Sequence, residues 1–230
     1  MGNNHELARL HQEMRACRRC LEAGFDIVPG AVFRGGPAAD VLLIGQAPGV
    51  TEVEAKRPFN AGSGRRLFQW LGQAGWEEDE FRVRHYMTAV AKCYPGRSPT
   101  GKGDRVPSKR EQQLCRPFLD RELALVRPRL IILIGRLAIG LLYPARARLS
   151  EIVGTAMYFP SETGEIPWGA GSHQGQTVRE TGKLLDADGR WVVPLPHPSG
   201  ASLWPNRAEN KQLIGRAIRI LSELRTRFAL

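Results

Sequence analysis

Short apolar runs, each closed by glycine or a turn residue, alternate along this chain with longer stretches whose apolar positions recur every three or four residues. The first run, Asp40-Val-Leu-Leu-Ile-Gly45, is too short and too uniformly apolar for an amphipathic helix and has the make-up of a strand buried on both faces. Similar strands are predicted at about His85 to Ala91, running on to Cys93, at Leu130 to Ile134, closed by Gly135, and at Trp191 to Leu195, followed at once by Pro196-His-Pro-Ser-Gly200. Helical stretches separate them. Residues 5 to 16 form a helix that delivers Cys17 and Cys20 at or just after its end. Leu67, Phe68, Leu71 and Ala74 share a face in a segment that Ser63 caps and Gly75 ends. Ser108-Lys-Arg-Glu111 is a capping box opening a helix with Cys115 in its second turn. Arg136 to Leu142 is a short helix, and a last one near Asn206 to Phe228 turns Leu213, Ile214, Ala217, Ile218, Leu221 and Leu224 inward.

Alternating strands and helices predict an α/β fold: a mostly parallel four-stranded sheet, helices on both faces, and ligands at the carboxyl ends of the strands. Two loops leave those ends, Gly45-Gln-Ala-Pro-Gly49 and His197-Pro-Ser-Gly200. A length of 230 residues without internal repeats fits one domain over 1–230. Pro160 to Thr177, rich in Gly and Pro, is expected to be a surface insertion in which Trp168 and His173 are loop residues rather than ligands.

Composition narrows the class. With 42% hydrophobic and 24% charged residues, disordered and fibrous classes are excluded. The longest apolar run, Leu130 to Ile134, is far short of the ~20 residues that span a bilayer, and the N-terminal stretch has no apolar signal-peptide core, so a cytoplasmic protein is expected. Lys and Arg number 33 against 23 Asp and Glu, a net charge of +10 that makes a polyanion the natural partner. Part of that charge lies in a Gly- and Pro-containing loop from Arg97 to Arg110, with Lys102 and Arg105 inside it.

The four cysteines are Cys17, Cys20, Cys93 and Cys115. Without an export signal a disulfide framework is not expected, and the two-residue spacer of Cys17-Arg-Arg-Cys20 lets both thiolates converge on one centre. Cys93 and Cys115 join them only through folding. Spacing alone leaves zinc and an iron–sulfur cluster equally open, and four separate buried thiols remain the bland alternative.

Taken together and in order, Gly45-Gln-Ala-Pro-Gly49, Arg57-Pro-Phe-Asn-Ala-Gly-Ser-Gly64, Thr88-Ala-Val-Ala-Lys-Cys93, Cys115-Arg-Pro-Phe118 and Pro196-His-Pro-Ser199 resemble the iron–sulfur uracil-DNA glycosylases, the family 4 and family 5 groups. The resemblance implies a three-layer α/β/α sandwich, a [4Fe–4S] cluster on Cys17, Cys20, Cys93 and Cys115, and hydrolytic removal of a deaminated base from single- or double-stranded DNA by a monomer. It also implies roles. Phe59 stacks on the extruded base, Gly45 and Ala89 line its pocket, and His197 donates to the base as negative charge develops on it. Ser199, Leu203, Arg97, Lys102 and Arg105 are expected to meet the duplex, Leu203 as the wedge that fills the gap left by the flipped base.

Two departures from the family 4 pattern bear on the chemistry. Gln46 stands where that group has Glu; an amide orients water but takes no proton, so Glu52 is the remaining carboxylate for the catalytic set. Ala89 stands where family 4 reads uracil with Asn, as in family 5, which leaves Asn60 as a substitute reader and a wider base range open. The loop from Arg97 to Arg110 holds no histidine for covalent capture of DNA. Two rivals follow from these departures and from the cysteines: a catalytically silent DNA-binding relative, and a zinc-ribbon-like structural protein.

Overall fold

The computed structural model describes residues 2–101, 103–161, 166–169, 175–182, 188–199 and 202–230. All four apolar runs are strands: β1 (Val41–Gly45), β2 (Tyr86–Ala89), β3 (Leu130–Ile134) and β6 (Gly189–Leu195). They pair in parallel in the order β2-β1-β3-β6, with Leu42 beside Tyr86 on one flank and Ile131 on the other.

The sheet has six strands, not four. β4 (Ala156–Pro160) runs antiparallel to β6, and β5 (Gln176–Val178) runs antiparallel to β4 at the edge. A five-residue apolar stretch ending in proline carries no period that marks a strand; pairing of Met157 with Val192 and Tyr158 with Trp191 makes it one. β5 falls inside the expected surface insertion, and Ile166 is buried with Trp168 packed against the core, so the described parts of 160–177 belong to the sheet edge and its packing. His173 lies outside the described residues.

The helices are α1 (Gly2–Ala16), α2 (Arg19–Glu22), α3 (Val50–Ala55), α4 (Gly62–Gln73), α5 (Glu78–Arg84), α6 (Lys109–Val126), α7 (Gly135–Ile139), α8 (Leu149–Ile152) and α9 (Ala208–Phe228). Successive strand residues point to opposite faces and build two cores. Leu42, Ile44, Ile131 and Leu133 pack with Leu7, Leu10 and Met14 of α1 and Phe118, Leu119 and Leu123 of α6. Val41, Leu43, Ile132 and Ile134 pack with Leu67, Phe68 and Leu71 of α4 and Ile214, Ala217 and Leu221 of α9. Helices on both sides of one sheet make the three-layer α/β/α sandwich, and burial on both faces explains why the β1 and β3 sequences are apolar throughout.

The chain after α2 then runs antiparallel along the outer edge of β2. Arg34 pairs with Met87, Val32 N–H donates to the Lys92 carbonyl at 2.9 Å, and Val28 pairs with Tyr94. That edge is thereby covered, and Cys17 and Cys20 are brought towards Cys93. Ser108 closes its capping box as expected: its Oγ accepts from Glu111 N–H at 3.3 Å while Glu111 accepts from Ser108 N–H at 2.7 Å.

Candidate active site

The carboxyl ends of β1, β2 and β6 surround one pocket, walled by Gly45, Gln46, Phe59, Ser63, Ala89 and His197 among others. The loops are tied to one another, since Val90 and Ala91 N–H donate to the Gly45 and Gln46 carbonyls at 2.9 and 3.1 Å.

Phe59 is held in an uncommon shape. Its φ of 52° lies in the left-handed region that a bulky residue enters only when its surroundings force it. Three groups do so. Glu52, on α3, accepts from Phe59 N–H with Oε1 and from Gly49 N–H at 2.6 Å with Oε2. Arg82, buried on α5, donates to the Pro58 carbonyl at 2.7 Å and the Phe59 carbonyl at 2.8 Å, and stacks over Phe68 with its charge 4.3 Å from the ring centre. Gly64 offers no Cβ, which would otherwise overlap the Phe59 carbonyl, and Gly45 leaves space for the ring, whose Cζ would lie 2.9 Å from a Cβ there. The Phe59 ring therefore forms a fixed wall. Arg82 and Gly64 were not legible as site residues, because neither touches the pocket except through Phe59.

Glu52 is accordingly not a free base. Both carboxylate oxygens are engaged by backbone donors, and burial, with Asp104 adding to it, pushes its carboxyl above the ordinary value despite those bonds. Asn60 is exposed and stands outside the pocket wall, because the left-handed turn at Phe59 sends the next residue to the surface. Ser63 is in the wall instead, at the first turn of α4, where sequence reasoning assigned it only a capping role.

His197 follows β6 directly. Ser199 N–H donates to its Nδ1 at 3.2 Å, which requires an unprotonated Nδ1 and places the ring proton on Nε2. Burial lowers its pKa below 6.5, so the imidazole is neutral and a donor at physiological pH. Gly135, at φ 81° where β3 enters α7, makes this approach possible: a Cβ there would lie 3.2 Å from both Cβ and Cδ2 of His197.

On the other side of β2, Cys17, Cys20, Cys93 and Cys115 line a single recess with Met14, Ile27, Pro95 and Phe118. Among the described residues no group of three or more His, Cys, Asp or Glu is arranged to hold a metal ion. Lys92 N–H donates to Cys115 Sγ at 3.3 Å and Gly30 N–H to the Cys93 sulfur. Burial pushes the Cys20 and Cys93 thiols up to about 11 and raises Cys115 as well.

The surface around the pocket carries the remaining expected residues. Leu203 is 73% exposed at the start of the 3-10 turn Trp204–Asn206, which Asn210 holds by donating to the Trp204 carbonyl at 2.9 Å. Arg97 is exposed on a small hairpin in which it pairs with Asp104, whose carboxylate accepts from Tyr94 Oη–H at 2.9 Å. Arg105 is engaged within the protein: it makes a two-pronged pair with Glu111, 2.7 Å on each side, and reaches the Asp26 carbonyl, tying the loop to α6. Lys102 lies outside the described residues.

Two histidines, His85 buried and His11 half-buried, bear on acid stability. Burial chiefly, with Arg15 beside His11 and Arg84 beside His85 adding to it, lowers each pKa from 6.5 to about 4. Between those values the unfolded chain binds protons that the folded chain excludes, so stability falls as pH drops through that window. Melting temperature followed from pH 7 to pH 4 is expected to decline over it; a flat profile contradicts the assignment.

A pocket at the carboxyl ends of a parallel sheet, walled by a clamped aromatic ring and a neutral histidine donor, is where α/β proteins of this architecture place ligands. Residues 33–222 match the family model of the uracil DNA glycosylase superfamily, and the chain belongs to that superfamily. It is 32% identical over 133 residues to the type-4 uracil-DNA glycosylase of Sulfurisphaera tokodaii, covering 56% of this chain and 54% of that protein. It is 29% identical over 151 residues to the type-4 uracil-DNA glycosylase of Pyrobaculum aerophilum, covering 65% of this chain and 70% of that protein. The chain thus spans between about half and somewhat over two thirds of the relatives' lengths. Among the described residues no helix is long and apolar enough to cross a membrane.

Proposed function

We propose that this chain removes uracil from DNA by hydrolysing its N-glycosidic bond, with DNA as its macromolecular partner. One observation carries the reading: Phe59, locked in shape by Glu52 and Arg82, and His197, neutral with its proton on Nε2, wall the same pocket. A flipped base stacked on Phe59 would place its carbonyl oxygen within reach of the His197 donor, which stabilises the anion formed as the bond breaks. The superfamily membership and the type-4 relatives support this reaction class.

In this proposal cleavage is largely dissociative. Gln46 orients the attacking water without taking its proton, and Glu52 acts by holding Gly49 and Phe59 in place. Glu52→Gln replaces one acceptor by an amide donor facing an N–H, and is expected to lower the single-turnover rate by roughly 10 to 100-fold, more than Gln46→Ala. If Gln46→Ala is the more damaging and Glu52→Gln is silent, water held by Gln46 dominates instead. Because Ala89 brings no amide to the base, Gln46 and Ser63 are the polar side chains left to read it, and hypoxanthine and xanthine belong in the test panel. Leu203 and Arg97 are assigned to the duplex, as wedge and phosphate contact.

The four thiols fit a [4Fe–4S] cluster: an all-sulfur donor set round one recess, an apolar shell, and N–H groups aimed at Cys93 and Cys115. Cys17, Cys20, Cys93 and Cys115 would hold it, and its contribution there is structural, joining the segment after α1 to β2 and α6. Anaerobically purified protein is expected to be brown with about four iron atoms per chain. Cys17→Ala should lose the colour and lower the melting temperature; stoichiometric zinc without iron contradicts the cluster. The functional test is a panel of single- and double-stranded oligonucleotides bearing uracil, hypoxanthine or xanthine. Strand cleavage after alkali at the uracil position supports the reading, and DNA binding without cleavage supports a silent relative.

A further inference from the structure

Behind the pocket wall lies a charged pair that the chemistry above does not use. Lys92 and Glu122 are 2.6 Å apart with side chains only 2% and 0% exposed. Lys92 Nζ also donates to the Thr88 hydroxyl at 2.8 Å and the Ala89 carbonyl at 2.5 Å, both residues of the pocket wall. Thr88 in turn donates to Glu122 at 2.9 Å, Tyr86 Oη–H donates to the same carboxylate at 3.0 Å, and His11 Nε2 lies 2.8 Å from the Tyr86 oxygen. With Tyr86 donating to Glu122, the His11 ring proton closes the chain, so the network has its hydrogens in fixed places.

Two charges buried at such depth cost desolvation that an apolar pair of the same volume would avoid, so stability alone does not account for them. Their arrangement has a direction. Lys92 and Glu122 both bond the Thr88 hydroxyl in the wall, but only Lys92 also bonds the wall backbone, at the Ala89 carbonyl, whereas Glu122 extends from α6 to Tyr86. The end of the pair that bonds the backbone of the pocket wall is the positive one, although Lys92 itself borders the thiol recess. Among the described residues that line the pocket none carries a positive charge, since His197 is neutral.

We propose that Lys92 is a positioning residue whose buried charge, partly offset by Glu122, favours the negative form of the departing base across the Thr88–Ala89 wall. The proposal rests on the uracil-removing reading and adds to it a source of electrostatic stabilisation that does not touch the substrate. No atom or proton is transferred to or from Lys92.

The test compares single-turnover removal of uracil and of 5-fluorouracil, whose anion is the more stable leaving group, from single-stranded oligonucleotides by the cluster-loaded chain. The variants are Lys92→Met, Glu122→Gln, and Lys92→Met with Glu122→Leu, with melting temperature and visible absorption recorded for each. The double variant keeps volume while removing both charges, so it separates electrostatics from folding. Lys92→Met and the double variant are expected to slow uracil removal by roughly tenfold or more and 5-fluorouracil removal by about threefold or less, while Glu122→Gln leaves uracil removal unchanged or faster. A double variant that restores uracil removal to within about twofold, or an equal loss on both bases, overturns the proposal. So does a Glu122→Gln variant as slow as Lys92→Met. A wild-type chain that releases neither base overturns the uracil reading and this proposal with it, whereas an active wild type with the pattern just described overturns the proposal alone.

Discussion

His197→Ala is expected to slow base removal in single turnover by roughly 10² to 10³ while leaving DNA affinity nearly unchanged. The reason is geometric. Ser199 N–H fixes Nδ1 as an acceptor, burial keeps the ring neutral, and the Nε2 proton is then the donor the ring presents. Deleting the ring removes a bond that strengthens as charge moves onto the base and removes little that holds the ground state. A merely structural histidine would show the opposite pattern, a large fall in melting temperature with little change in rate. The conservative variant His197→Gln, which keeps a donor, is expected to retain part of the rate.

Gly64→Ala is expected to abolish detectable base removal and to lower stability by several kcal/mol, one of the few single-methyl changes with so large an effect. A Cβ at that position would overlap the Phe59 carbonyl, whose neighbours cannot give way because Arg82 and Glu52 already fix both ends of the same peptide segment. Relief requires Phe59 to leave its left-handed conformation, and the stacking wall then collapses. Gly62→Ala, two residues earlier on α4, is the control: its Cβ would meet only the end of the Arg65 side chain, at 3.7 Å, and activity should persist. Equal activity in the two variants would show that the Phe59 geometry does not matter.

What the sequence revealed depends on how each feature is encoded. β1 and β3 are legible because burial on both faces makes every position apolar, and the Ser108 box because two side chains three residues apart announce a helix start. β4 and β5 are not, since they are strands only by virtue of the neighbours they pair with. Cysteine content pointed to a shared centre, yet only folding brings α2 to β2 and α6 so that the four thiols line one recess. The most consequential miss is at Phe59. Nothing in Arg57-Pro-Phe-Asn announces a positive φ at an aromatic residue, so Glu52 looked like a catalytic carboxylate and Asn60 like a base reader. The clamp is why the proposal gives the first a positioning role, and Asn60 lies outside the pocket wall. Likewise Arg105, counted with the basic loop, pairs with Glu111 and holds that carboxyl down at about 2, chiefly through their two-pronged hydrogen bond.

The most direct measurement is chromatographic detection of free base after incubation of the purified, cluster-loaded chain with a single-stranded oligonucleotide carrying one uracil. Stoichiometric free uracil together with an intact sugar–phosphate backbone bearing one abasic site is the result predicted. Tight binding of the same oligonucleotide with no uracil released would contradict a hydrolase and leave a DNA-binding protein on the glycosylase fold.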